Sequence, residues 1–576
     1  MVSETATDFL KNTQKEVEEF NPDTVKAIYD SMQWSFCTEK KWEFMGFLLL
    51  SLLIIPIQFT FIPKTVTKLT KGLVTIGDKM TATDKNNIVW AIAIIAISWI
   101  VVTLLQIGKN SIQLSLLPKH IQHIRVKLFN QLLHRYSTEY DDVPAGESII
   151  RILDVSRLFA YQSQNVLTKV IPYIIGLIVI IIYAFTVNRT LGCIILVGLL
   201  LVTTNVSFYA FRISDKSNTR EEVYMDMAQK MNDKFDNLMN IYINNDENNA
   251  SKQYKNINEN HTQKWQIEAT DSRNCKAIIT SLTIATFLVV LFVGYNKVKN
   301  KTLTGFQYAS LITVFTVYMN RSIKMFMLVP YLARQYGIWR NNLPFVHNIF
   351  KEMEEKRSNR PIKNGTIELV DVEFNYPEES IKVFEKLNLS VQAGERVAIV
   401  GRSGSGKSTL MKLVLGLYRP TKGTIKISGT DVRDISLKEV RSKVAYINQR
   451  TTLMDESILN NIQFGNNATK EEILALLKKY ELSTIFSDIG GIESNAGVNG
   501  GNLSLGMQKV VILLRGILRQ GALIYLIDEP LSGLDTASRT KVTKMIQEKL
   551  EGKTIVYVTH NEEIFEYVDR VISIQK

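Results

Sequence analysis

The chain has 576 residues, too many for one hydrophobic core, and its three cysteines, Cys37, Cys193 and Cys275, lie too far apart for a disulfide framework or a zinc-binding spacing. A charged fraction of 22% and a mean hydropathy of +0.02 conceal two unlike halves: apolar runs crowd the first ~330 residues, and the remainder reads as a soluble α/β domain. The net charge of +12 suits nucleic acid or a membrane protein with Lys/Arg-rich cytoplasmic segments; the apolar runs favour the membrane and argue against a nucleic-acid partner.

Residues 1–40 are polar, acidic in places and free of a secretory-signal pattern, so they read as an N-terminal cytoplasmic segment. Six stretches then approach the ~20 residues of helix that cross a bilayer: about 44–62, 88–107, 170–187, 191–211, 277–295 and 308–332. Several carry no charge along their whole length, which argues against buried helices of a soluble protein. About 60 mostly polar residues separate the second stretch from the third, and as many separate the fourth from the fifth. Both intervals should face the same side as the C-terminal half, because an even number of spans lies between. They carry Arg125, Lys127, Arg151, Lys230 and Lys234, in agreement with the positive-inside tendency, which Lys64, Lys68, Lys71, Lys79 and Lys85 in the first outer loop weaken. Apolar residues at i, i+3, i+4 in IRVKLFNQLLHRY predict that the membrane helices continue into the cytoplasm.

Residues 41–345 are therefore expected to form a six-helix transmembrane domain of an integral, multi-pass protein with both termini cytoplasmic, in the cell (inner) membrane. In the sixth stretch Arg321 and Lys324 share a helical face. Charges at membrane depth either line a water-filled path, here favouring acidic or zwitterionic cargo, or are paired or snorkelling.

A charged linker, 346–366, precedes a domain at 367–576. Its strand-like runs TIELVDVEF, RVAIVG, KVAYINQ, LIYLIDEP, TIVYVTH and RVISI alternate with helix-like ones, which predicts a mainly parallel sheet covered by helices. After RVAIV comes GRSGSGKST, matching G-x-x-x-x-G-K-[ST] over 401–408 and followed by a helix-like run. Gly401, Ser403, Gly404, Ser405, Gly406 and Thr409 supply a backbone that can curl around phosphates, with the positive end of a helix behind it. Lys407 can reach the β- and γ-phosphates, and the Ser408 hydroxyl can ligate Mg²⁺. The run Leu523 to Pro530 forms a second element: a buried strand delivers Asp528, suited to hold Mg²⁺, and Glu529, suited to polarise the attacking water. This half binds a nucleoside triphosphate.

With these motifs in order, the C-terminal half resembles the nucleotide-binding domain of an ATP-binding cassette (ABC) transporter. The resemblance implies ATP and Mg²⁺ as ligands and ATP hydrolysis as the reaction. It makes Tyr376 the aromatic residue that stacks on adenine and His560 the histidine at the γ-phosphate. It makes Gln449 the glutamine that touches Mg²⁺ and the lytic water, and it places Asp535, in LSGLD, in a loop crossing the dimer interface. The signature L-S-G-G-Q stands here as Leu503-Ser504-Leu505-Gly506-Met507: Ser504 and Gly506 survive, Leu505 adds bulk beside phosphate and Met507 removes an amide. Six spans before one cassette resemble the exporter-type half-transporter. That arrangement implies a second half-transporter, either an identical or a different chain, and intracellular contacts at about 150–158 and 242–252. The second contact would dock on the opposite subunit's cassette. The implied function is ATP-driven export; the rival reading, motivated by the altered signature, is an ATP-gated regulatory membrane protein without net pumping. The cargo is not written in any motif: peptides, lipids and amphipathic drugs all fit.

Overall fold

A computed structural model describes residues 22–74, 82–138, 145–350, 360–376, 382–402, 404–448 and 451–574. The chain separates into two compact units, one holding nearly all residues up to Glu352 and the other beginning at Met353 apart from a short earlier segment.

The first unit is helical. The first predicted span falls on α1 (Lys41–Pro56), which runs on through Ile57–Phe61 and Ile62–Val74. The others follow as α2 (Ala82–Thr138), α3 (Ala145–Asn165) running on into α4 (Ile171–Val187), α5 (Arg189–Asp236), α6 (Leu238–Ile243), α7 (Glu247–Lys299), α8 (Gly305–Phe326) and α9 (Val329–Phe350). Among the described residues, four helical stretches are long and apolar enough to cross a membrane: Asn86–Arg135, Ser148–Val187, Arg189–Asp236 and Glu247–Lys299. The first and sixth predicted spans are helical as well. The expected continuation into polar helix is present, since α2, α5 and α7 reach 57, 48 and 53 residues.

Two features depart from the sequence reading. The sixth stretch is broken at Met327 and Leu328, just before Pro330, whose ring and missing N–H disfavour an unbroken helix through the preceding turn. Within the N-terminal polar segment, Ile28 and Met32 are fully buried, packed with Ile124, Val155, Phe159 and Trp339.

Polar helix faces pack through charge and small residues. Glu268 on α7, buried, is ion-paired with Arg220 on α5 (3.1 Å) and with Arg334 on α9. Asp271, one turn on, pairs with Lys216 (2.6 Å) and Arg212 (3.4 Å). Gly337 of α9 lies so close to α5 that a Cβ there would meet the Ser214 carbonyl oxygen and, at 2.8 Å, the Ser217 side chain.

The second unit holds two sheets. Five parallel strands run in the order β6 (Val444–Ile447), β7 (Ile524–Asp528), β8 (Thr554–Val558), β3 (Arg396–Val400) and β9 (Arg570–Ser573). All five residues of β7 are buried, as both faces are covered. Alternation assigns Ile524 and Leu526 to one core with Leu410 and Val414, and Tyr525 and Ile527 to the other with Val510 and Leu514. The run TIELVDVEF, expected in this sheet, instead forms β1 (Ile367–Phe374) of a separate antiparallel sheet. There it lies between β2 (Phe384–Val391) and β4 (Lys422–Ile427), with β5 (Thr430–Asp431) at the edge. Neither β2 nor β4 was singled out from sequence, because charged residues dilute their alternation.

Candidate functional site

β3 ends at Val400 and α10 (Lys407–Val414) begins seven residues later, so 401–406 must reverse the chain tightly. Gly404 and Gly406 adopt φ of 81° and 90°, a region L side chains resist. At Gly406 a Cβ would also stand 2.7 Å from Phe384 and Val383, so this position admits glycine for two reasons. Gly406 is the N-cap of α10 and has no side chain to cap it, which leaves the N–H groups of Lys407, Ser408 and Thr409 without an intrahelical acceptor. The Ser405 hydroxyl is buried and finds no hydrogen-bond partner among the described residues. Lys407 is buried, and its ammonium donates to the carbonyls of Gly401 (2.8 Å) and Arg402 (3.0 Å), which holds it over the loop. Donors, a cation and an unsatisfied hydroxyl converge on one cradle, a set that fits a polyphosphate.

The parallel register carries Asp528, at the end of β7, to this cradle. The Ser408 hydroxyl donates to its carboxylate at 3.2 Å, joining residues 120 positions apart. A hydroxyl and a single carboxylate beside a phosphate cradle suit Mg²⁺, which takes few protein ligands and completes its shell with phosphate and water. Glu529 follows with φ of 49°, fixed by its N–H donating to Val558 O (2.8 Å) and its carbonyl accepting from the Ser532 hydroxyl (3.1 Å). Its carboxylate accepts from the His560 backbone N–H (3.1 Å) and the Thr559 hydroxyl (3.5 Å). Asp528, Glu529 and His560 therefore stand together at the carboxyl ends of β7 and β8, beside the loop after β3.

The remaining sequence-predicted residues divide. The Tyr376 hydroxyl is hydrogen-bonded to the Thr409 hydroxyl at 2.8 Å, and its ring stands edge-on to Phe374 and Tyr418. Asp535 is the N-cap of α12 (Thr536–Lys549), accepting from the Ser538 N–H (2.9 Å) and hydroxyl (2.7 Å). Ser504 is the N-cap of α11 (Leu505–Ile517), accepting from Met507 N–H at 3.3 Å. Gly506 faces the LSGLD loop: a Cβ there would approach Gly533 O to 3.4 Å and Leu534 to 3.8 Å. Leu505 is 74% exposed. Ser403 and Gln449 lie outside the described residues.

Sequence reasoning passed over Lys509. It is buried on α11; burial pushes its ammonium down, while the carboxylates of Asp528 and Glu529 pull it back up. The signal was present as a lone lysine beside the apolar run VVILL.

Comparison with known proteins agrees with this arrangement. Residues 384–532 match the family model described as "ABC transporter", and 45–322 match "ABC transporter transmembrane region". The chain is 24% identical over 507 residues to an export ATP-binding/permease protein of Rickettsia bellii (strain RML369-C), covering 87% of this chain and 86% of that one. It is 26% identical over 460 residues to the ATP-dependent lipid A-core flippase of Neisseria meningitidis serogroup B (strain ATCC BAA-335 / MC58), covering 78% and 73%. Its fold is similar to that of a bacterial Atm1-family ABC exporter with ATP bound, with a TM-score of 0.82 at 16% identity over 93% and 94% of the two chains. With a transmembrane region and one cassette in a single polypeptide, the chain belongs to the ABC transporter family as an exporter-type half-transporter, an integral membrane ATPase that drives export.

Proposed function

We propose that this chain pairs with a second half-transporter and exports cargo by closing two cassettes over ATP and Mg²⁺. The turn 401–409, with the Lys407 ammonium and the Ser405 hydroxyl, takes the β- and γ-phosphates. Ser408 and Asp528 hold Mg²⁺, which when bound neutralises charge on the phosphoryl oxygens. Glu529 accepts the proton of the attacking water, and His560 and Gln449 complete the γ-phosphate side. Tyr376 offers its ring to adenine, with stacking contributing about 1–3 kcal/mol. Ser504, Gly506 and Asp535 face the partner's nucleotide, and the bulk of Leu505 slows the site that they complete. Catalysis here is positioning and electrostatics, with no covalent enzyme intermediate.

Support for a partner comes from the tip formed by α6 and its flanks. Met239, Tyr242 and Ile243 are 74%, 57% and 67% exposed, an apolar end that the reading docks on the opposite cassette. The membrane domain lies in the inner membrane with the cassette and both termini cytoplasmic; 41–345 form the transmembrane part and 346–366 the linker.

The observation that carries the reading is the Ser408–Asp528 contact at 3.2 Å, with Glu529 adjoining it. The test is Glu529→Gln in purified, lipid-reconstituted protein. ATP turnover should fall by about 10²–10⁴-fold, the span of a lost general base, while ATP stays bound. Brisk turnover by this variant contradicts the assignment.

A further inference from the structure

Glu221 of α5 is 7% exposed, yet among the described residues its carboxyl has no hydrogen bond and no ion pair. It lies where α3, α7 and α9 pack against α5. The charged groups around it are engaged elsewhere or share its sign. Arg220, next to it in sequence, is paired with Glu268 of α7 (3.1 Å) and lies 5.7 Å from the centroid of the Trp265 ring. Arg334 of α9 is drawn to the same Glu268. Arg151 of α3 donates to Asn342 Oδ1 at 3.2 Å. Asp154 of α3, half-buried, is a second carboxyl with no ion pair or hydrogen bond among the described residues. Tyr224, one turn on along α5, adds a phenol whose ring is 6.0 Å from that of His261 on α7.

A carboxylate buried without a counter-charge is unfavourable, and the group responds by keeping its proton. Burial pushes the Glu221 carboxyl up to about 7; Arg220 and Arg151 pull it down, and the like charges of Asp154 and Glu268 add to the rise. Burial raises Asp154 as well, against Arg157. Glu221 stands about ten residues, ~15 Å of helix, beyond the fourth predicted span, on the polar extension of α5. That extension leads on to the tip at α6, while Asp154 belongs to the segment 150–158. In the export reading both regions meet cassettes, the tip that of the partner, so cassette closure bears on the seam between α3 and α5.

We infer that Glu221 is a proton-binding site at this seam: it holds a proton where α3 and α5 pack and yields it to water where they part, so that pH biases the export cycle. The step is an acid dissociation, in which the O–H bond breaks, its electron pair stays on the carboxylate and the proton passes to water. The inference rests on the export reading above and adds a regulation to it. Parted helices return Glu221 to water and to the ordinary glutamate value of 4.5, against about 7 when packed. Packing is therefore unopposed by this group below the lower value. Between the two values the parted form gains by about tenfold per pH unit, and above the higher one the preference levels off.

The test uses the full chain in phosphatidylcholine nanodiscs without nucleotide. Infrared difference spectra should show a protonated-carboxyl stretch that titrates away near neutrality, and Glu221→Gln should abolish that band. Spin labels at Tyr161 and Glu222, both exposed, read the spacing of α3 and α5 in a cysteine-free background. The ratio of parted to packed label pairs should rise roughly twentyfold from about pH 5.5 to about pH 7.5 in otherwise wild-type protein. In Glu221→Gln, which cannot ionise, the ratio should stay flat. Should that variant fail to fold, Asp154→Asn removes a like charge and should lower the midpoint of the band; an unmoved midpoint then overturns the inference. A midpoint in the ordinary glutamate range, as a counter-charge from the partner subunit would give, overturns it too. So does a pH-dependent spacing that survives Glu221→Gln. ATP turnover in the same nanodiscs, with nucleotide added, separates the two claims: turnover beside a Glu221 that does not titrate near neutrality sinks only the proton site, and absent turnover beside one that does sinks only the export reading.

Discussion

Glu529 leaves β7 in a left-handed conformation that costs a non-glycine residue on the order of 1–3 kcal/mol. Its neighbours compensate: Val558 holds its N–H, Ser532 its carbonyl, and the carboxylate is turned to the His560 N–H. The sequence announces the identity of this residue through the DE pair after an apolar run, but not its backbone, which only the register of β7 against β8 determines. The same holds for Asp535, whose place in LSGLD is legible while its capping of α12 is not. The Ser538 N–H, and then its hydroxyl, hold the Asp535 carboxyl below the usual aspartate range. A carboxylate whose folded pKa lies below the unfolded one contributes stability fully above about pH 4 and loses it as pH falls through the folded value. Asp535→Ala should therefore lower the unfolding temperature at pH 7, with the gap to wild type closing below about pH 4. A thermal melt at each pH measures this, and an equal gap at both contradicts the cap. Lys509 was missed because a lysine within an apolar helix reads as an interruption until the fold carries it to Asp528 and Glu529.

Among elements, long helices were the easiest to foresee and their breaks the hardest. Apolar length alone marks α4, but the interruption between α8 and α9 depends on what Pro330 does to the turn before it. The P-loop was legible because a strand, a glycine turn and a helix are adjacent in sequence. β1, by contrast, takes its place between β2 and β4, and the β4 pairing joins residues as distant in the chain as Glu373 and Lys422. The union of α5, α7 and α9 is likewise a non-local fact, made by Glu268 between Arg220 and Arg334. Both arginines would be left without their buried counter-charge by Glu268→Ala, a change that should cost about 3–5 kcal/mol. The reconstituted protein should accordingly melt several degrees lower, whereas joint replacement of all three residues by apolar side chains should recover much of the loss. A melting temperature unmoved by Glu268→Ala would show that the three helices are held by packing alone.

At the scale of the molecule, two units of different chemistry share one chain. One is made of helices long enough to cross a bilayer and continue beyond it; the other brings a glycine-rich turn and the carboxylates of Asp528 and Glu529 to the carboxyl end of a parallel sheet. The division was visible as a change in composition near residue 350, since a bilayer and a soluble sheet demand different side chains. Cargo was not, because a binding cavity gathers side chains from helices that are distant in sequence. The most direct measurement is uptake into inside-out vesicles of cells producing this chain, with anionic, zwitterionic and cationic amphipaths offered in parallel. Wild-type vesicles should accumulate cargo with ATP and not with a non-hydrolysable analogue, and Glu529→Gln vesicles should accumulate none. Uptake that proceeds equally with the analogue, or equally in the variant, would contradict export driven by hydrolysis.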